Sequence, residues 1–362
     1  MHGEGDRLER LRAAMAAAGL DGLVVSEPGN RRWLTGFTGS TGWPVVLADD
    51  AFLVTDSRYY EQVERQARRF RLERASQRPL ERVSELVAAT DARRVAVERE
   101  AVTLGQMQTL RDAAPQVDWV PMAGLVEDLR AIKTEEEIGR IRRAVDIGDR
   151  AVTMAYEEAR PGITERELAW WLERFMRENG AEGLAFDIIV AAGENGSLPH
   201  HTPSDRPIAA GEPIVVDLGA RVDGYNSDLT RTFSFGPASD PDYERVYGIV
   251  EQARDAAVAG IHAGMSGRAA DDVARSVIRD AGYGSFFEHG LGHGVGLDVH
   301  EAPRLSPAAD DSPLREAMVV TIEPGIYLPG RFGVRIEDLV VVRDSGVDVL
   351  SRAAKQPVLE PR

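Results

Sequence analysis

Four acids and one histidine have the residue types and the spacing to hold cations. Asp217 closes the apolar run Ile214-Val215-Val216, and Asp228 follows the turn signal Asp223-Gly224. A hairpin there would bring the two aspartates to neighbouring strands. Glu323 comes after Val319-Val320-Thr321-Ile322 and before Pro324-Gly325, and Glu337 follows Val334-Arg335-Ile336. His293 lies in Gly290-Leu291-Gly292-His293-Gly294-Val295-Gly296. An acid at the end of an apolar strand is costly to bury unless it is paired or ligating. Glycines let backbone approach a ligand closely, and an imidazole binds divalent ions. Each residue alone has a plainer explanation: solvated hairpin acids, a Glu337–Arg335 ion pair, a turn histidine. Together they make an oxygen-rich set with one imidazole, which suits Mn²⁺, Co²⁺ or Zn²⁺. Two carboxylates can bridge a pair of ions while the others cap each side. Two ions about 3.5–4 Å apart activate water and polarise a carbonyl.

These residues need strands to carry them and helices to cover the strands. Thr134-Glu135-Glu136-Glu137 and Thr164-Glu165-Arg166-Glu167 each read as a capping box. The first predicts a helix to about Arg160, stopped by Pro161-Gly162, and the second a helix ending near Gly180. Strands are expected at Phe186 to Ala191, Pro213 to Gly219, Thr230 to Phe235, Val319 to Ile322 and Val334 to Val342. Helices are expected at Pro241 to Ala263 and Arg268 to Ala281. Strands and helices that do not alternate strictly indicate an α+β domain with antiparallel pairing. Two helices that each start at such a box and lead into strands hint at an internal duplication. Upstream, a helix at Arg7 to Ala18, a strand from Leu23, a hairpin over Pro44 to Thr55, a charged helix at Tyr59 to Phe70 and a strand at Arg94 to Val97 form a smaller α/β domain. The expected division is 1–125, a linker at 126–133, and 134–362.

Composition narrows the function classes. A chain of 362 residues is long for one core. A net charge of -16 argues against a nucleic-acid partner and against an anionic membrane surface. The absence of cysteine excludes disulfides, cysteine zinc sites and a cysteine nucleophile. It fits a cytoplasmic protein, and the first residues carry no visible signal peptide.

Five segments resemble, in order, the pita-bread metallopeptidases, the family of methionine aminopeptidase, aminopeptidase P, prolidase and creatinase. They are Leu198-Pro199-His200, Asp217-Leu218-Gly219, Asn226 to Thr232, His289 to Glu301, and Thr321 to Tyr327 with Val334 to Asp338. The resemblance implies a pita-bread catalytic domain that uses two divalent ions, with Mn²⁺ the favoured metal and Co²⁺ or Zn²⁺ compatible. It implies that Asp217 chelates one ion, that Asp228 and Glu337 bridge both, and that His293 and Glu323 hold the second. A bridging hydroxide would attack the scissile carbonyl, with Glu323 passing the proton. It further implies that His200 and His300 stabilise the oxyanion and leaving nitrogen, that His289 faces the residue after the scissile bond, and that Arg335 and Tyr327 orient the carboxylates. His201 and His262 have no counterpart in these segments and read as surface residues.

Thr35-Gly36-Phe37-Thr38-Gly39-Ser40 and Thr55-Asp56-Ser57-Arg58-Tyr59 resemble the creatinase-like amino-terminal domain of aminopeptidase P and prolidase-like enzymes. This implies cleavage of proline-containing peptides at an Xaa-Pro bond, whose imide nitrogen has no N–H. Aminopeptidase P is the expectation, with an Xaa-Pro dipeptidase (prolidase) as the alternative. A non-peptidase enzyme or a binding module on the same scaffold is more remote. A dipeptidase must recognise a free carboxylate, a task suited to arginine. Arg31, Arg32 and Arg58 are the first-domain candidates, with Trp33 as a pocket wall that reaches a neighbouring subunit. The resemblance also implies a homodimer.

Overall fold

The computed structural model describes residues 4–75 and 77–360. The chain divides into two compact units between Arg130 and Ala131. In the first unit, the strands β1 (Gly22–Val24), β2 (Trp43–Leu47), β3 (Ala51–Thr55), β4 (Arg71–Arg74), β5 (Arg94–Glu98) and β6 (Asp118–Met122) make one mixed sheet in the order β4-β3-β2-β1-β5-β6. Helices α1 (Glu4–Ala17), α2 (Pro28–Thr35), α3 (Tyr60–Gln66), α4 (Pro79–Ala88), α5 (Leu104–Ala113) and α6 (Glu127–Arg130) complete it. The expected β2–β3 hairpin is present, with Val45 opposite Phe52. The charged helix α3 is shorter than the predicted Tyr59 to Phe70. The segment read as a linker contains α6 and buries Val126, Arg130 and Lys133.

The second unit opens with α7 (Glu135–Glu158) and α8 (Glu165–Glu178), and both predicted capping boxes form. Ile138, Ile141, Val145, Val152 and Ala155 recur at helical spacing on the buried face of α7. Gly148 on that face lets the helix lie close to Leu218, whose side chain stands 3.2 Å from where a Cβ would be. The chain then passes through β7 (Gly183–Leu184), β8 (Ile189–Ala192), β9 (Pro213–Leu218), β10 (Ala220–Val222), β11 (Tyr225–Asn226) and β12 (Leu229–Phe235). Asp223 and Gly224 connect β10 to β11 with φ of 50° and 79°, the two positive values a tight hairpin needs.

Helices α9 (Tyr243–Gly260) and α10 (Gly267–Asp280) lead into β13 (Gly292–Gly294), β14 (Glu301–Leu305), β15 (Val319–Ile322), β16 (Gly325–Leu328), β17 (Phe332–Arg335), β18 (Asp338–Arg343), β19 (Gly346–Val349) and β20 (Val358–Leu359). The second half therefore repeats the plan of the first: two helices followed by a sheet, antiparallel except where β20 joins β12 in parallel. One sheet runs β20-β12-β9-β8 and the other β14-β13-β15-β18-β19. The cap residue of the second helix in each half, Thr164 or Ser266, bridges a proline farther along, Pro207 or Pro313. Leu168, Leu172, Val216 and Phe233 lie in the core of the first half, and Tyr243, Val250, Val320 and Val340 in that of the second.

One element differs from expectation. The single strand predicted over Val334 to Val342 is two strands in two sheets. β17 pairs with β16, whereas β18 pairs with β15 and β19. Between them Ile336 N–H bonds to Pro324 O at 3.4 Å and Glu337 N–H to Thr230 O at 3.1 Å. The chain changes partners at Glu337, so this acid stands outside both ladders.

Candidate metal centre

Strand β9 delivers Asp217 opposite Thr230 of β12, and Asp228 sits just before β12 begins. Glu337 occupies the break between β17 and β18. Carboxylate oxygens of Asp217, Asp228 and Glu337 all lie within 4.8 Å of one another. His293 on β13 points Nε2 at Glu323 Oε1, 3.3 Å away, and at Asp228 Oδ2, 3.6 Å away. The five predicted residues are thus brought together as a triad of acids and a His293–Glu323 pair, with Asp228 between them.

Hydrogen bonds hold these groups in place. Arg335 donates from Nη2 to Asp217 Oδ2 at 2.7 Å, from Nε to Thr230 Oγ1 at 3.1 Å and from Nη1 to Tyr327 OH at 2.8 Å. Thr230 in turn donates to Glu337 Oε2 at 2.7 Å. Thr321 donates to Glu323 Oε1 at 3.1 Å and accepts from His293 N–H at 3.0 Å. His289 Nδ1 is 2.7 Å from Gly290 O, which can only accept, so the imidazole proton sits there and Nε2 accepts from Tyr327 OH at 2.9 Å. Burial favours the neutral form of His289 and pushes the Tyr327 phenol up to about 12.

The electrostatics call for positive charge. Burial, together with the repulsion of neighbouring carboxylates, raises the pKa of Asp228 and Glu337 well above the usual range. Burial raises Asp217 as well, despite Arg335 beside it. Asp217 Oδ1 is buried without a hydrogen-bond partner. Burial opposes the charged forms of His293 and Glu323, yet their mutual contact raises the one and lowers the other. His293 Nδ1 faces Gly294 O at 3.1 Å, which leaves Nε2 directed at the carboxylates. A cation between these atoms would satisfy the orphaned oxygen, the crowded acids and the imidazole together, so the donor set fits divalent ions.

The other predicted residues are placed unevenly. His300 is exposed, with its ring centroid 4.3 Å from that of His293, and burial and the His293 charge lower its pKa. His200 is exposed and close enough to His300 to act on it electrostatically. Pro199 O accepts from Arg335 at 3.4 Å, which ties the His200 loop to the cluster. In the first unit, Trp33 is 3% exposed, with Arg7 stacked on its ring at 5.1 Å, so little of the expected pocket wall is available. Arg31 is buried and holds Gly39 O and Gly42 O. Arg58 is exposed, but its fork already grips Asp56 with two 2.8 Å bonds.

Two features escaped the sequence reading. His201, read as surface, is half-buried and bonds Glu165 at 2.9 Å. That carboxylate also accepts from Ala192 N–H, Asn195, Ser204 N–H and Ser204 Oγ. Arg304 on β14 pairs with His293 across the ladder. Directly paired residues share a face of the sheet, and the Arg304 charge acts on His300. Its exposed guanidinium has no hydrogen bond or ion pair among the described residues. The signal for it was spacing, four residues beyond His300 in an alternating strand.

Comparison with known proteins adds a lineage to this geometry. The profile described as metallopeptidase family M24 matches residues 139–344, and that described as the creatinase/prolidase N-terminal domain matches residues 7–132. A solved Xaa-Pro dipeptidase from Bacillus anthracis is 38% identical, with a TM-score of 0.95 over 99% of this chain and all of that one. An Xaa-Pro dipeptidase of Pyrococcus furiosus is 36% identical over 97% of this chain and 99% of its own length. A solved X-Pro aminopeptidase from Thermotoga maritima is 36% identical, with a TM-score of 0.87 over 96% of this chain and 99% of that one. No described helix is long and apolar enough to cross a membrane.

Proposed function

The chain belongs to metallopeptidase family M24, and from that premise we propose that it is a dinuclear Xaa-Pro dipeptidase. The names borne by two of the three relatives favour the dipeptidase over the aminopeptidase P expected at first. The observation that carries the choice within this chain is Arg304. It is an exposed guanidinium with no partner among the described residues, near enough to His300 to act on it and on the face of β14 shared with His293. A free carboxylate one residue past the scissile bond is what such a fork would bind.

Asp217, Asp228, Glu337, Glu323 and His293 would hold two divalent ions, with Mn²⁺ the favoured pair and Co²⁺ or Zn²⁺ compatible. When bound, the ions supply Lewis acidity and an activated water. Arg335 engages Asp217 through Oδ2, which leaves Oδ1 for ligation. Glu323 is held ionised by His293 and accepts a proton at its carboxylate. His300, with its pKa lowered, would offer a neutral N–H to the developing oxyanion or the leaving nitrogen, and His200 is near enough to act on it electrostatically. The Arg335–Tyr327–His289 chain fixes a neutral imidazole, which would face the proline ring of a substrate.

The test is hydrolysis of an Xaa-Pro dipeptide against an Xaa-Pro-Xaa tripeptide with added Mn²⁺. The dipeptide is expected to be cleaved and the tripeptide to be left nearly intact. Equal cleavage of both would return the aminopeptidase P reading, which the Thermotoga maritima relative favours. A homodimer is part of the same reading and is checked by light scattering on the eluted protein.

A further inference from the structure

The five candidate ligands come from two halves of the second unit. Asp217 and Asp228 belong to the half built on α7 and α8, and His293, Glu323 and Glu337 to that built on α9 and α10. Glu337 stands outside both ladders, so no sheet register fixes its position across the seam. Thr230 and Arg231 of β12 do so instead. Thr230 O accepts from Glu337 N–H at 3.1 Å, and Thr230 Oγ1 donates to Glu337 Oε2 at 2.7 Å. The third hold is on the main-chain oxygen, where Arg231 Nη1 donates to Glu337 O at 2.5 Å.

Arg231 is fully buried. A guanidinium has five N–H groups, and Arg231 makes five bonds. Nη1 also donates to Thr230 O at 2.9 Å, and Nη2 to Asp338 Oδ1 at 2.7 Å. Nε and Nη2 both donate to Ala353 O, at 3.1 and 2.8 Å. Neutralising Asp338 does not explain this fork. Asp338 already accepts from Arg254 Nε at 2.6 Å and lies 3.2 Å from Lys355 Nζ. What Arg231 adds is a planar grip on three main-chain carbonyls, one from each of three chain segments.

We infer that Arg231 is a positioning residue that sets the spacing between the two halves of the ligand set by gripping the main chain of Glu337. This rests on the reading of Glu337 as a metal ligand. A lysine keeps the charge but presents one nitrogen, which cannot reach acceptors spread around the fork.

The experiment is calorimetric titration of Mn²⁺ into the chelator-treated full chain, as wild type, Arg231→Lys, Lys355→Met and Glu337→Gln. Thermal midpoints and dipeptide KM at saturating Mn²⁺ are measured alongside. Arg231→Lys is expected to weaken Mn²⁺ about 10–100-fold, the usual cost of disturbing a group that orients a ligand, with KM at saturation within about twofold of wild type. Lys355→Met loosens Asp338 without touching Glu337 and should lower the thermal midpoint while keeping wild-type Mn²⁺ affinity. Equal loss of affinity in these two variants would reduce Arg231 to general stability and overturn the inference. Wild-type affinity in Arg231→Lys, beside weak binding in Glu337→Gln, overturns it as well. Wild-type affinity in Glu337→Gln removes the ligand assignment beneath it, a separate result. If Arg231→Lys does not fold, Asp338→Asn weakens one bond of the fork by making its acceptor neutral. The same titration should then show a smaller loss of affinity, and no loss overturns the inference.

Discussion

Replacing Asp228 by asparagine should make the metal-free protein more stable and the metal-loaded protein less so. Asp228 lies within 4.8 Å of both Asp217 and Glu337, measured between carboxylate oxygens. Two full charges at that separation repel by about 3 kcal/mol at an effective dielectric near 20. Proton uptake relieves part of this, so removing one charge should recover about 2 kcal/mol. For a unit of this size, that is a rise of about 4–8 °C in the thermal midpoint. The sign with pH follows from the raised pKa of Asp228. A carboxyl raised on folding favours the native state below its unfolded pKa. That contribution is lost as pH rises through the folded value. The metal-free advantage of Asp228→Asn should therefore be larger at pH 8 than at pH 5. With Mn²⁺ at about 100 times its Kd, wild type should gain about 2.7 kcal/mol, and the variant should lose most of that gain along with turnover. Differential scanning calorimetry with chelator and with Mn²⁺ reads all four states. A metal-free variant less stable than wild type at pH 8, or an undiminished Mn²⁺ shift, would refute the reasoning.

Further outcomes test other parts of the site. Arg304→Gln should raise KM for an Xaa-Pro dipeptide about 10–100-fold, the worth of a charged hydrogen bond, and leave tripeptide cleavage unchanged. Steady-state kinetics on the two substrates checks this. Glu165→Gln should cost about 1–3 kcal/mol in urea unfolding, because an amide cannot accept from every donor that faces this carboxylate. Those bonds outweigh burial and hold the Glu165 pKa at about 2. Its contribution is present above the unfolded carboxylate pKa and fades as pH falls toward 2, so the variant's acid unfolding should be shallower over that range. Gly292→Ala should lower both stability and Mn²⁺ affinity, since the new Cβ would lie 2.1 Å from Thr321 O and displace His293. Wild-type affinity in a folded Gly292→Ala would show that the β13–β15 contact is slack.

Local rules carried much of the reading. Capping boxes at Thr134 and Thr164 start their helices because hydroxyl and carboxylate sit three residues apart, a contact that needs no tertiary partner. The Asp223-Gly224 turn is legible for the same reason. The break at Glu337 was not, since Val334 to Val342 alternates like one strand. The reason for the switch is Thr230 O, far away in sequence. His201 looked like a surface histidine because its partner Glu165 is 36 residues away. Nothing in the sequence around Trp33 and Arg31 shows that the fold buries them. Arg304 is not legible in the sequence, because an arginine in an alternating strand resembles any solvated one until its cross-strand partner His293 is known.

The seam between the halves also bears on when an ion is acquired. Thr230 and Glu337, which hydrogen-bond at the centre, stand 107 positions apart. Contacts of such separation form late, because closing long loops is entropically costly until both ends are structured. Neither half carries the full cage, so a growing chain that has made only β8, β9 and β12 presents two aspartates and little selectivity. The ion would then be chosen at the end of folding, from whatever pool surrounds the finished molecule. Cellular metal supply at that moment, more than the intrinsic preference of the ligands, would decide which enzyme form results.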